Sequence, residues 1–234
     1  MLKCIENQTN SKASVFLIEP LELGQGITIG NTIRRTLLSD IPGLAVSQVK
    51  FNNILHEFKG ISGVREDIVE ILLNLKQLIF KDIFLCRNFN KTQRAFFYVK
   101  GPSIVTANKV KLSNKGLQIV NNNNYICTVL DNSFLFCEML ITKGRGYQLA
   151  SEESLNFSQK NSVINLDAVF TPIVKANFKI RLINDSFGNL RESLILEIET
   201  NGSISPKRAL KEAIKNMLTL FNTLFISSDL LQLI

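Results

Sequence analysis

Residues 28–38, Thr28-Ile-Gly-Asn-Thr-Ile-Arg-Arg-Thr-Leu-Leu38, place two adjacent arginines inside an otherwise apolar amphipathic helix. Ile29, Ile33 and Leu37 recur at four-residue steps, and Leu38 widens the stripe. Pro42 and Gly43 then stop the helix, one by its ring and the other by permitting a turn. Neighbouring helical positions diverge by about 100°. Arg34 and Arg35 therefore cannot share a side, and at least one must border the apolar face. A guanidinium there takes an acidic or carbonyl partner. The plain alternative is two solvated arginines whose stems cover the edge of the core.

Gly63-Val-Arg-Glu-Asp-Ile-Val-Glu-Ile-Leu-Leu-Asn-Leu-Lys76 predicts a second helix, with Val64, Ile68, Ile71, Leu72 and Leu75 in helical period. Glu66 and Asp67 then fall in its first turn, where the helix dipole favours anions. Lys143-Gly-Arg-Gly-Tyr147 predicts a loop held open by two glycines. Strands are predicted over residues 14–18, 45–51, 94–99, 125–130 and 134–141, and a hairpin over 177–183 and 193–199. Asn121 to Asn124 reads as a solvated loop. A last helix runs from Pro206 to about Phe225, with Ser205 at its N-cap. Leu210, Ile214, Met217, Leu218, Phe221, Leu224 and Phe225 lie on one broad apolar face of it. Such a face needs a cover, either the chain's own sheet or a second copy of the chain.

Composition narrows the class. A chain of 234 residues with 45% hydrophobic side chains can bury about 70% of its unfolded surface and is packed rather than disordered. No apolar run approaches the roughly 20 residues needed to span a bilayer, so a membrane is not an expected partner. The opening Met1-Leu-Lys-Cys-Ile-Glu6 has the character of neither a secretory nor a transit leader. The net charge of +7 raises a basic nucleic-acid-binding module as one reading. The cations are scattered, as at Lys109-Val-Lys111 and Lys207-Arg208, and no strand is read as alternating aromatic and basic residues. A solvated or protein-facing surface is expected instead. The chain holds 24 Asn against 9 Ala, a bias that fits an A/T-rich coding sequence such as that of a reduced plastid genome.

Catalytic constellations are not found. Gly24-Gln-Gly-Ile-Thr-Ile-Gly30 approaches a G-x-G-x-x-G fingerprint but is one residue too long and lacks a βαβ context, so a nucleotide-cofactor enzyme is the weakest reading. Cys4, Cys86, Cys127 and Cys137 form no C-x-x-C pair, and His56 is the single histidine, read as a structural residue at a strand end. No catalytic residue, metal site or cofactor is expected.

Five runs in order carry a family resemblance: LELGQGITIGNTIRRTLLS, LHEF with GVREDIVEILLNLK, KGRGY, LDAVFTPI and LILEIETNGSISP. Together they resemble the amino-terminal domain of the α subunit of bacterial and plastid RNA polymerase, over residues 20 to 225. Ile27 and Leu23 depart from the polar residue and the arginine common there, and residues 80–135 resemble the family only in character. The resemblance implies an α+β fold in which 1–42 plus 171–234 form a dimerisation domain of helices on an antiparallel sheet. A β-rich domain, 43–170, is inserted into it.

The implied function is that of a non-catalytic subunit of DNA-directed RNA polymerase, a homodimer that gathers the β and β′ type catalytic subunits and meets DNA only through the assembled complex. Ile29, Ile33, Leu37, Leu210, Ile214, Met217, Leu218, Phe221, Leu224 and Phe225 are expected at the dimer interface. Arg35 and Leu38 are expected to meet a large subunit, with Arg34 beside them and Lys76, Lys143 and Arg145 as weaker candidates. A plastid is the expected compartment, with the bacterial cytoplasm as the alternative. Family members continue through a linker into a small DNA-contacting helical domain. This chain stops at Leu230-Leu-Gln-Leu-Ile234, so a subunit whose end packs down and which makes no upstream DNA contacts is expected.

Overall fold

The computed structural model describes residues 3–52, 60–83, 92–150, 163–184 and 188–231, with backbone alone for 228–231. His56, Cys86 and the side chains of the last residues, 228–234, lie outside that description. In chain order the first elements are β1 (Lys3–Asn10), β2 (Ala13–Leu21), α1 (Gln25–Ser39), β3 (Pro42–Phe51), α2 (Ile68–Lys76), β4 (Phe80–Asp82), β5 (Thr92–Lys100) and β6 (Ser103–Thr106). There follow β7 (Lys111–Leu112), β8 (Leu117–Ile119), β9 (Tyr125–Val129), β10 (Phe134–Arg145), β11 (Tyr147–Gln148) and β12 (Val163–Asn165). The chain closes with β13 (Ala168–Val169), β14 (Ile173–Asn184), β15 (Leu190–Thr200) and α3 (Pro206–Leu231). The fold is α+β, with antiparallel sheets and few helices, and it divides into two compact units, Met1–Ile41 with Thr171–Ile234 and Pro42–Phe170.

The first unit is a four-stranded sheet in the order β1-β2-β15-β14, with α1 and α3 against it. Alternation in β2 and β15 turns Phe16, Leu196 and Ile198 inward, where they meet Ile33, Leu37 and Ile41 from α1 and its end, and Ala209, Leu210 and Ala213 from α3. Each large side chain so buried contributes about 1.5–3 kcal/mol gross. The two small alanines let the helix approach closely.

Alpha1 begins in a way its glycines explain. Gly24 has a left-handed φ of 87°, and the buried Glu192 carboxylate of β15 accepts the Gly24 N–H at 2.9 Å and the Gly26 N–H at 2.8 Å. A carboxylate at a helix N-terminus satisfies orphan donors and the dipole at once. A Cβ on Gly26 would sit 2.7 Å from that carboxylate, and one on Gly30 would sit 2.6 Å from the Phe178 ring. The glycine run is thus a packing motif, and its anion site is filled by the chain itself.

The second unit holds a five-stranded sheet in the order β12-β3-β10-β5-β7, with α2 on one face. Ile68, Ile71, Leu72 and Leu75 of α2 enter a core with Val49, Phe51, Phe97, Cys137 and Met139. Three two-stranded ladders, β4 with β8, β6 with β9 and β11 with β13, complete it.

Several local expectations change. The second helix starts at Ile68, not near Gly63. Gly63 turns the chain at a φ of 76°, Val64 bridges Val129, and Glu66 is drawn away from the helix. Its buried carboxylate accepts the Thr128 N–H at 2.7 Å and the Tyr125 hydroxyl, and Arg65 lies 3.1 Å away. Burial alone would raise the Glu66 carboxyl, but these donors outweigh it and hold it below its usual range. Lys143 to Arg145 are not a loop but the end of β10, paired with β3 as far as Pro42, and only Gly146, at a φ of 63°, makes the turn. Asn121 to Asn124 is tied down rather than merely solvated, since the Asn121 side chain accepts the Ile79 N–H at 2.9 Å and donates to the Gln77 carbonyl at 2.8 Å. Strand β1 carried no recognised pattern because nearly all its side chains are exposed.

Candidate assembly surfaces

The two arginines of α1 do different things. Arg34 donates its Nε to the Ala176 carbonyl of β14 at 3.1 Å, which ties the helix to the sheet edge. Arg35 points elsewhere, exposed, with no hydrogen bond or ion pair from its guanidinium to a described residue. Leu38, at 36% exposure, stands one turn on from it. An uncommitted guanidinium beside an apolar side chain is the composition of an interface anchor.

The apolar residues of the two helices divide as well. Ile33, Leu37 and Leu210 are buried in the unit's own core, and Ile29 and Met217 pack partly against it. Ile214, Leu218, Phe221 and Phe225 remain 39%, 57%, 54% and 68% exposed, with Leu224 beside them. Their spacing of four, three and four residues puts them on one face of the helix, the spacing found where helices pair. An open apolar stripe of this kind on a packed domain marks an interaction surface.

In the second unit, Asp167 gathers Lys76 and the Tyr147 end of the KGRGY motif. It accepts the Ala150 N–H at 2.9 Å and faces the Lys76 ammonium at 3.6 Å, with the Tyr147 hydroxyl close enough to act on its charge. The Ala150 N–H first, then Tyr147 and Lys76, hold its carboxyl below the usual range. Phe170 locks the same region. Its ring leaves 2.6 Å for a Cβ on Gly144, and its carbonyl leaves 1.8 Å for one on Gly43. Lys143 is itself engaged, and Arg145 is exposed at the end of β10. Lys76, Lys143 and Arg145 thus belong to the second unit, whereas Arg34, Arg35 and Leu38 belong to the first.

The residues missed by sequence reasoning are Glu192, Asp167 and Phe170. Glu192 lies 166 residues from the amide it caps, so no local pattern exposes it. Asp167 and Phe170 stood inside the LDAVFTPI run, and a lone acid between apolar residues was the available signal.

Residues 49–171 match the family of the RNA polymerase Rpb3/RpoA insert domain. Over 233 residues the chain is 42% identical to the DNA-directed RNA polymerase subunit alpha of Phaeodactylum tricornutum, covering 98% of this chain and 72% of that protein. Identity is 40% to the subunit alpha of Trieres chinensis, covering 95% and 70%, and 41% to that of Mesostigma viride, covering 94% and 68%. The chain belongs to the family of α subunits of DNA-directed RNA polymerase. Its place is in the nucleotidyl-transferring transcription complex, assembled with other polymerase subunits.

Proposed function

We propose that the chain works as a homodimer that gathers the two large catalytic subunits of a plastid RNA polymerase. The observation that carries this is the open seam of Ile214, Leu218, Phe221 and Phe225 on a helix whose first half is already covered. A two-fold axis makes one such seam complementary to its copy. Burying four large side chains per copy adds about 1.5–3 kcal/mol gross for each. Ile33, Leu37 and Leu210 support the seam from behind as core residues. The dimerisation role falls to the unit formed by 1–42 plus 171–234 and the insert to 43–170.

Arg35 with Leu38 is the anchor for a β type subunit. Arg34 is committed to Ala176, so it positions the helix rather than the partner. Because two copies present identical surfaces, one meets β and the other β′, with Lys76, Lys143 and Arg145 as secondary contacts. The algal relatives and the Asn-rich composition support a plastid location, which fractionation of the source cells would test.

Light scattering of the wild-type chain should give a dimer at micromolar concentration, and Leu218→Glu or Phe221→Asp a folded monomer or an insoluble chain. A stable wild-type monomer would refute the seam. Arg35→Ala should leave the dimer intact and abolish capture of a β type subunit in a pull-down. Unchanged recovery would remove Arg35 from the contact.

A further inference from the structure

The outward face of the five-stranded sheet in the second unit carries a block of aromatic rings that neither the core nor the assembly surfaces use. Register brings it together from two interior strands. Phe136 of β10 stands opposite Tyr98 of β5, and Phe134 stands opposite Lys100. Phe96 lies one step along β5. Tyr98 and Phe134 stack at 5.8 Å between centroids, and Phe96 and Phe136 lie 6.4 Å apart. Tyr98 is 60% and Phe134 59% exposed.

Cations frame the rings. The Lys100 ammonium sits 5.5 Å from the centre of the Phe134 ring, and Lys111 of β7 stands opposite Phe96. Along β5 the outward positions read Arg94, Phe96, Tyr98 and Lys100, a basic–aromatic–aromatic–basic alternation. This alternation, not expected from the sequence, is blurred there because the inward Ala95, Phe97 and Val99 interrupt it in RAFFYVK. Glu138 of β10, opposite Phe96 on this face, lies 3.6 Å from the Arg94 guanidinium, which offsets part of its charge.

We propose that this face binds single-stranded nucleic acid, its bases stacked on Tyr98 and Phe134 and its phosphates met by Lys100 and Lys111. The Tyr98 and Phe134 rings, on neighbouring strands, have centroids 5.8 Å apart, a spacing that consecutive nucleotides of an extended strand can follow. Every base has a π face, so stacking on such rings is indifferent to sequence, and an open sheet with rings on its interior strands is a platform that serves it. Electrostatics favours a polyanion over an apolar peptide, since lysines stand at both the Phe134 and the Phe96 ends of the block. A duplex hides its base faces and gains only the charge term.

The experiment titrates the full chain with fluorescein-labelled oligo-uridine, with a duplex of the same length, and with polyglutamate as a competitor. The expected result is single-strand binding that outlasts polyglutamate competition and exceeds duplex binding. Tyr98→Ala and Phe134→Ala each remove one cross-strand ring contact and should lower the thermal midpoint only slightly, yet each should weaken binding at least about fivefold. Lys100→Gln with Lys111→Gln should lower the salt slope by about 1.4. Lys12→Gln with Lys211→Gln, exposed on the first unit, should leave the ring-dependent loss unchanged. Equal affinity for duplex, loss of binding to polyglutamate, or insensitivity to both ring variants would reduce the effect to net charge and overturn the proposal. So would failure of the wild-type chain to bind oligo-uridine, which would leave this face to a protein partner.

Discussion

The two halves of α3 carry the same kind of sequence and meet opposite fates. Ala209, Leu210 and Ala213 are sealed against the sheet of the first unit, whereas Leu218, Phe221, Leu224 and Phe225 stand in the open. Both halves keep a helical period of apolar residues. What separates them is reach. The sheet covers the first turns, and the helix runs on past it. The same contrast recurs in α1, where Arg34 is bonded to a backbone carbonyl and its neighbour Arg35 is left outward. Residues turned inward hold the unit together, and those turned outward are available for assembly.

The largest test of that division compares one leucine from each half. Leu210→Ala should cost about 2–5 kcal/mol in urea unfolding, independent of protein concentration. The loss in Leu218→Ala should instead vary with concentration, because it acts through association. Equal, concentration-independent losses at the two positions would erase the distinction.

A smaller effect is expected at the start of α1, where the polar contact is wholly internal. Glu192→Ala strands the N–H groups of Gly24 and Gly26 and should lower stability by about 1.5–3 kcal/mol. Glu192→Gln should restore part of this, since an amide oxygen still accepts one of the two bonds. A midpoint unchanged by both variants would show that water caps the helix equally well.

The smallest effect sharpens the contrast in the second unit and appears only in acid. The Glu66 carboxyl titrates lower in the folded chain than in the unfolded one. Its contribution is therefore complete above the unfolded-chain value and is lost as pH falls through the folded one. Wild-type stability should decline on acidification below the usual glutamate range, and Glu66→Gln should flatten that limb while lowering stability at neutral pH. Parallel acid limbs would show that the buried carboxylate is not the group being titrated.

Much of this molecule is legible from one dimension. Period and punctuation locate α1, α3, the long strands β5 and β10 and the β14–β15 hairpin, because hydrophobic spacing reports directly on which face is buried. Motif order points to the family. The legibility fails where distant groups compete with a local preference. Gly63-Val-Arg-Glu66 has helical spacing, yet Thr128 and Tyr125, some sixty residues on, take the Glu66 carboxylate and delay the helix. Lys143-Gly-Arg-Gly-Tyr147 looks like a loop, yet pairing with Pro42 to Leu44 of β3 makes most of it strand.

By itself the sequence determined the class of the protein, the existence of its principal helices and strands, and the abundance of apolar surface on α3. Only the tertiary structure decided which of those apolar residues are covered, that Glu192 fills the anion site the glycines seemed to offer, and that Phe134 and Phe136 come to lie beside Tyr98. The reason is physical. Period records local geometry, repeated every few residues. Coverage, charge pairing and cross-strand neighbours are set by contacts between segments far apart in the chain, and no local pattern encodes which segment will arrive.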